Sequence, residues 1–267
     1  METFLKWAGG KRWLLDPAPD REISLRGLYE PYRHRRLVDL FTGAGSVAFG
    51  LAPQRALVND LNPHLVNCLR YAMLGVRKDM AAIEFANDKE IFAANRHRFN
   101  HLAREGVALP EQALLFYYLN RTCYNGLCRF NRKGEFNVPF GKYKTIHYLQ
   151  DWDGYVEGMR HWKITCGDFS HVHTLPGDFL FADPPYDGGG SAFTAYWSSP
   201  FTWEDQVRLA RFLARHDGPV IATNLATDRI LTLYRNLGFV THLVSAPRRV
   251  SCKTRAKVIE MVATKGV

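Results

Sequence analysis

The run Phe181-Ala182-Asp183-Pro184-Pro185-Tyr186 leads an apolar stretch into one carboxylate, two prolines and a tyrosine. Neither proline can donate a backbone hydrogen bond, so a strand reaching Asp183 loses its ladder donors at the next two residues and must stop pairing. The result is a stiff corner at a strand end. It holds the Asp183 side chain, the carbonyls of Asp183 and Pro184 and the Tyr186 ring in fixed relation, with the acceptors free to meet something other than protein. A surface turn with a helix-capping Asp is the purely structural alternative.

A second group of residues points to a cofactor. Leu37 to Phe41 is a short apolar strand, Thr42-Gly43-Ala44-Gly45 a tight turn, Ser46 to Ala52 the opening of a helix, and Ala56 to Asp60 the next strand. Nucleoside-bearing cofactors are held by such units, because the glycines let the backbone approach and the carboxylate accepts from ribose hydroxyls. The turn alone does not choose the cofactor, since Gly43-x-Gly45-x-x-Ala48 also satisfies the loose dinucleotide fingerprint. Asp60 could instead help cap the helix that opens at Asn62-Pro63.

Further strand signals fall at Trp162 to Thr165, Phe179 to Ala182, Pro219 to Thr223, Phe239 to Val244 and Val258 to Val262, with helices expected over Thr202 to Ala214 and Asp228 to Leu237. Between the second and third strands the chain turns helical and polar from Pro63 to about Ala108, then apolar and helical over Glu111 to Leu119. Asn131-Arg132-Lys133-Gly134 reads as a hairpin tip flanked by Leu127 to Phe130 and Glu135 to Val138. The economical architecture is α/β, one doubly wound sheet with a mostly helical insert.

A chain of 267 residues, 46% hydrophobic, can bury a real core. No stretch nears the roughly 18 uninterrupted apolar residues of a membrane span, and the start lacks the features of a secretory signal, so a cytoplasmic location is expected. The five cysteines are an odd number without a Cys-x-x-Cys pair, which reads as reduced thiols. Cys123 and Cys128 with His97 and His101 are the candidate zinc ligands, but the cysteine spacing is too wide for a usual knuckle, and no metal is expected.

A formal charge of +9 suggests a polyanionic partner. Basic residues gather in Arg121 to Lys144 and in Arg248 to Lys257. Tyr124, Phe130, Phe136, Phe140 and Tyr143 interleave with the first cluster, so attraction to phosphates comes with rings able to stack on bases. A hairpin with a charged outer face would alternate in the same way.

The segments FLKWAGGKRWLL, DLFTGAGSV, VNDLNPHL, LNRTCYNGLCRFNRKGEFNVPFGKYK, FADPPY, FTAY and RRVSCKTRAKVIE, in this order over nearly the whole chain, resemble the Dam-type DNA adenine N6-methyltransferases, most closely those that modify GATC. The resemblance implies a Rossmann-like S-adenosylmethionine-dependent methyltransferase sheet from residues 1–62 and 150–267, with a target-recognition domain at 63–149. It implies S-adenosyl-L-methionine as cofactor, held by Trp7, Lys11, Phe41, Gly43, Gly45, Asp60 and Asp183. Asp183 and the Pro184 carbonyl would accept from adenine N6, with Pro185 stiffening the corner and Tyr186 stacking on a base flipped out of duplex DNA.

In the recognition run, Arg129 would take a guanine bidentately and Leu127 and Pro139 would meet a thymine methyl, while Lys6 would contact the outer guanine. Tyr124 and Asn125 would occupy or stack near the vacated space, and Tyr143 would steady the hairpin. Arg121, Lys142, Lys144, Arg248, Arg249, Lys253 and Arg255 would meet phosphates. Asp39-Leu40-Phe41 replaces the family's frequent Glu-Pro-Phe, Thr223-Asn224 replaces Ser-Asn, and Asp187 to Gly190 is a short link where relatives carry a longer loop. A C5-cytosine enzyme is excluded because no cysteine here follows a proline. N4-cytosine transfer, protein glutamine or RNA methylation, and a DNA-binding relative without catalysis remain as alternatives. A monomer acting on double-stranded DNA is expected.

Overall fold

The computed structural model describes residues 1–19, 21–75, 83–106, 110–149, 151–188, 200–247 and 258–267. Seven strands form one sheet in the order β3-β2-β1-β4-β5-β7-β6. They are β1 (Leu37–Asp39), β2 (Ala56–Asp60), β3 (Trp162–Cys166), β4 (Phe179–Ala182), β5 (Val220–Leu225), β6 (Val240–Ala246) and β7 (Val258–Lys265). The first five run parallel, while β7 inserts antiparallel between β5 and β6. Every strand expected for the sheet is present. The central strands β1, β4 and most of β5 are buried along their length, which is why they read as unbroken apolar runs rather than alternating ones.

The strand period of two divides those residues between two cores. Leu37, Val58, Phe179, Phe181 and Ile221 face one side, packed with the N-terminal segment and helices α2 (Ser46–Leu51) and α3 (Pro63–Met73). Val38, Leu57, Leu180, Ala182 and Ala222 face the other, packed under α7 (Trp203–Ala214) and α8 (Asp228–Asn236). The short helix α1 (Leu25–Tyr29) belongs to the first side.

From β1 the chain steps outward to β2 and β3, then returns to lay β4 against the opposite side of β1. That reversal opens a crevice at the carboxyl ends of β1 and β4, the usual ligand position in open α/β sheets. Asp39 to Gly45 and Asp183 to Tyr186 are the segments that emerge there.

Between β2 and β3 lie α3, α4 (Lys89–Glu105), α5 (Pro110–Thr122) and α6 (Asp153–Gly158). Asn62 caps α3 by accepting from the amides of His64 and Leu65, and Pro63 occupies the first turn. Arg70 on α3 donates to the Ile164 carbonyl of β3. All but three residues of α5 are buried, and its Tyr117 meets Trp152 at 5.4 Å between ring centroids, while Trp152 meets Phe4 at 5.1 Å. One continuous core therefore joins the insert to the sheet.

The expected hairpin is a tight turn at Asn131–Gly134 closed by a single bridge, Phe130 to Phe136, rather than a two-stranded ladder. A two-stranded ribbon is marginal by itself. Here Asn100 of α4 takes the place of a third strand: its Oδ1 accepts from the Phe136 amide at 2.8 Å and its Nδ2 donates to the Phe136 carbonyl at 3.2 Å. Among the described residues no helix is long and apolar enough to cross a membrane.

Trp152 is 1% exposed at the junction of insert and sheet. Trp152→Ala should lower unfolding stability by about 3–5 kcal/mol in urea titrations, whereas Val240→Thr on the exposed face of β6 should change it by less than about 0.5 kcal/mol.

Candidate active site

The Asp183 corner is where the sequence places it, at the end of β4, and its side chain is held from both sides. Thr223 of β5 donates its hydroxyl to Asp183 Oδ1 at 2.6 Å, and Lys11 Nζ lies 2.9 Å from Oδ2. Lys11 is 3% exposed and also donates to the Gly9 carbonyl at 2.7 Å. Its ammonium stands 4.7 Å from the centroid of the Tyr186 ring. Lys11 thus reaches the Asp183 and Tyr186 side chains from far away in the chain.

Behind the corner, Gln206 of α7 donates to the Pro185 carbonyl at 2.8 Å and accepts from Asn224 at 2.9 Å, while Asn224 Oδ1 takes the Asp187 amide at 3.0 Å. Asp187 is clamped by Thr227 and by both arms of Arg229, whose guanidinium lies 4.5 Å from the Trp203 ring centroid. The Pro185 carbonyl is therefore consumed by the scaffold. Among the described residues no hydrogen bond reaches the Pro184 carbonyl.

The Tyr186 hydroxyl donates to Glu260 Oε2 at 2.6 Å. Burial first, then the nearby Asp183 and Glu260 charges, push the Tyr186 phenol well above its ordinary range, and burial likewise raises Glu260.

The glycine turn forms the other wall. Gly43 has φ +51°, and a Cβ there would lie 2.7 Å from Trp7 Nε1, so both the conformation and the indole edge demand glycine. Asp60 receives the Gly43 amide at 2.9 Å on one oxygen and the Asn62 amide at 2.9 Å on the other. Capping of α3 falls to Asn62, so Asp60 ties the second strand to the turn and keeps lone pairs for a further donor. Phe41 packs against Phe169 and Phe201 at 5.5 and 5.7 Å between centroids. A nucleoside with an aminoacyl tail fits this donor set: close backbone at Gly43 and Gly45, a carboxylate for hydroxyls and an aromatic wall.

Asp39 is fully enclosed between these groups. Burial pushes its carboxyl up to about 8; the Thr42 hydroxyl and Phe41 amide oppose this, and the Asp183 and Asp60 charges add to it.

The recognition run presents the expected residues unevenly. Arg129 pairs across the hairpin with Asn137, donating Nε to its Oδ1 at 2.8 Å and Nη2 to its carbonyl at 3.3 Å. Alternation from that pair sets Leu127 and Pro139 on the same face, while Phe136 and Val138 turn into the core. Arg129, Pro139 and Tyr124 are exposed and Leu127 half-buried. Asn125 adopts a left-handed φ of 54° and is exposed.

Lys6 lies 3.8 Å from the Tyr143 ring centroid and donates to the Arg121 carbonyl at 3.2 Å; burial and then the Arg121 charge lower its affinity for its proton. Lys142 and Lys144 are exposed. Arg121 differs from its expected phosphate role: half-buried, it donates to the carbonyls of Phe4 and His147 and so braces the N-terminal segment. Arg248, Arg249, Lys253 and Arg255 lie outside the described residues, as do the FTAY segment and the end of the glycine link.

For zinc, Cys123 is buried and donates to the Leu127 carbonyl, Cys128 accepts from Asn62, and His97 and His101 sit on the exposed side of α4. Among the described residues no group of three or more His, Cys, Asp or Glu is placed to hold a metal.

Three side chains that matter here were not singled out from the sequence. Asn120, 1% exposed, exchanges hydrogen bonds of 2.8 Å with both the amide and the carbonyl of Lys6 and also reaches the Gly126 carbonyl at 3.3 Å. Gln206 and Glu260 are the others. A polar residue inside an apolar helix (Asn120) and a carboxylate inside an apolar strand (Glu260) were the available signals.

Residues 7–250 match the family of D12 class N6 adenine-specific DNA methyltransferases, and the chain belongs to that family. It is 34% identical to the DNA adenine methylase of Escherichia coli over 278 residues, covering 98% of this chain and 94% of that one. It is 31% identical to the type II methyltransferase M1.LlaDCHI of Lactococcus lactis over 282 residues, 99% of this chain and 95% of that one. Against the DNA N-6-adenine-methyltransferase of Escherichia phage P1 it is 35% identical over 94% of its own length but only 33% of the phage protein, so the chain spans about a third of that relative. The protein is thus an adenine-specific DNA methyltransferase by family, which removes N4-cytosine transfer as an equal alternative.

Because the Asp39 carboxyl is raised in the folded state, folding favours its protonated form. Stability from this group is full below the unfolded carboxylate range and is lost as pH climbs from about 4 to about 8, then stays level. Asp39→Asn removes that loss. Over that window the variant should gain on the parent by up to about 1.4 kcal/mol per pH unit, read from denaturation midpoints at stepped pH.

Proposed function

We propose that this protein moves a methyl group from S-adenosyl-L-methionine to N6 of the adenine in GATC, after flipping that base out of duplex DNA. The observation that carries the reading is the convergence at one crevice of a fixed carboxylate, the Pro184 carbonyl, to which no described residue donates, and the Tyr186 ring, next to a glycine turn closed by Asp60.

The cofactor would supply an electrophilic sulfonium methyl. The remaining work falls to the chain. Phe41 and the Gly43 to Gly45 backbone would line the pocket and Asp60 would hold the ribose hydroxyls, with Trp7, Lys11 and Asp183 bordering the methionine end. The lone pair of adenine N6 is delocalised into the ring, so the nitrogen becomes a nucleophile only as it pyramidalises. Acceptors aimed at its two hydrogens favour that change while positive charge grows on it. Asp183 retains lone pairs beyond those used by Thr223 and Lys11, and the Pro184 carbonyl supplies the second acceptor. Tyr186 stacks on the base and holds it in line.

Flipping costs a few kcal/mol, offset in part by Tyr124 and Asn125 entering the vacated space. The insert of residues 63–149 acts as the recognition unit. With its Nε edge spent on Asn137, Arg129 offers the end of its guanidinium to guanine O6 and N7, Leu127 and Pro139 meet a thymine methyl, and Lys6, steadied over Tyr143, meets the outer guanine. Lys142, Lys144 and the Arg248, Arg249, Lys253 and Arg255 group set the register on phosphates. The exposed Lys142 and Lys144 support a polyanionic partner, and the location proposed for this activity is the cytoplasm.

Tritiated methyl transfer to duplexes with one GATC, a GTTC control or a changed flanking guanine, followed by nucleoside analysis, tests this directly. N6-methyladenine from GATC alone is expected. Label in adenine at another sequence would sink the reading of the hairpin, and label in cytosine would sink the function. Arg129→Ala should cost about 1–3 kcal/mol of discrimination at one guanine position while other positions stay selective.

A further inference from the structure

Tyr186 is held by its hydroxyl as well as by its position in the corner. The acceptor, Glu260, stands on β7 in register with Leu225 of β5, next to the Thr223-Asn224 pair that also braces the corner. Its neighbours along β7, Val258, Ile259, Met261 and Val262, are apolar. A half-buried carboxylate in such a strand is costly unless a partner uses it. Among the described residues Glu260 forms no ion pair, and Lys11, the cation that faces it, is engaged by Asp183 at 2.9 Å. What Glu260 does hold is the Tyr186 phenol, at 2.6 Å, a length characteristic of a hydroxyl donating to a charged acceptor.

Two consequences follow for the ring. The bond anchors the far end of the phenol and so fixes the direction of its long axis, since the corner prolines already restrict the backbone. A phenol donating to a carboxylate is also richer in electrons than a free one, and an electron-rich face attracts positive charge. Lys11 Nζ already lies 4.7 Å from that ring's centroid, on the side where Asp183 waits.

We propose that Glu260 is a positioning residue for methyl transfer: through the Tyr186 hydroxyl it sets the ring against the flipped adenine and strengthens the ring's attraction for the charge that grows on N6. This rests on the reading that Tyr186 stacks on the target base. Glu260 itself touches neither substrate nor cofactor.

The test is a double-variant cycle on the full chain. Single-turnover methyl transfer to a GATC duplex is measured for the parent, Glu260→Gln, Glu260→Ala, Tyr186→Phe and Glu260→Ala with Tyr186→Phe, alongside DNA and cofactor affinities and thermal midpoints. A 2-aminopurine at the target position reports stacking of the flipped base. Glu260→Ala should slow transfer about tenfold with both affinities within about twofold of the parent, because only the transition state loses an interaction. Glu260→Gln, which keeps an acceptor, should recover most of that rate. In the Tyr186→Phe background, removing Glu260 should cost less than about a further twofold, since the group it acts through is gone.

The proposal is overturned if the two losses multiply, if Glu260→Ala leaves the transfer rate unchanged, or if the loss lies wholly in DNA or cofactor affinity. Absence of N6-methyladenine from the parent protein would instead defeat the proposed function, and is scored separately.

Discussion

The ion pair between Lys11 and Asp183 is the interaction on which the rest of the site depends. It joins a residue near the chain's start to the end of the fourth strand, with the lysine almost wholly enclosed. Removing either partner would leave an uncompensated charge in a poorly hydrated place, at a cost of about 3–5 kcal/mol. The pair therefore acts as a lock: the N-terminal segment is in place only when the corner is in place. That segment carries Trp7 against Gly43, and five residues before Lys11 it carries Lys6, pinned to Asn120 of the insert. One short turn of chain, residues 6–11, thus connects the Asp183 corner, the glycine turn at Gly43 and the run that follows Asn120.

The sheet explains why the corner can be both rigid and open. Two prolines end β4 by removing donors, so the strand stops without a loop to absorb the change of direction. The vacated backbone is then held by side chains instead: Gln206 on the Pro185 carbonyl, Asn224 on the Asp187 amide, Thr223 on Asp183. Gln206 comes from α7, packed on one face of the sheet, and Thr223 and Asn224 from β5, the strand next to β4. Among the described residues the Pro184 carbonyl receives no hydrogen bond.

The hairpin at Asn131–Gly134 is ordered in a different way. The hairpin has one bridge, and its order comes from Asn100 of α4 and from Asn131, whose Oδ1 accepts the amides of Lys133 and Glu135. Close packing completes it: a Cβ on Gly126 would collide with the Lys6 side chain, so the turn before the hairpin and the lysine beside it must be read as one surface. The surface that results combines the exposed Arg129 and Pro139 with the half-buried Leu127 and Lys6, the lysine lying over the Tyr143 ring.

The strands, the two helices flanking β5, the glycine turn and the order of the motifs were legible in the sequence. Each is set by local constraints: a proline that cannot donate, a glycine that can take positive φ, an apolar run too short for a helix. The partners were not legible. Glu260 meets Tyr186 across 74 positions and Asn120 meets Lys6 across 114, and nothing near either residue in the chain announces the other. Arg121 stood in a basic cluster and reads from sequence as a phosphate contact, yet the folded chain turns its guanidinium onto the carbonyls of Phe4 and His147. The capping role that the sequence left open for Asp60 falls to Asn62, while Asp60 holds the glycine turn. Which side chain satisfies which buried polar group is decided by how the sheet and the insert close on each other, because an unpaired group inside costs more than any local preference can offset.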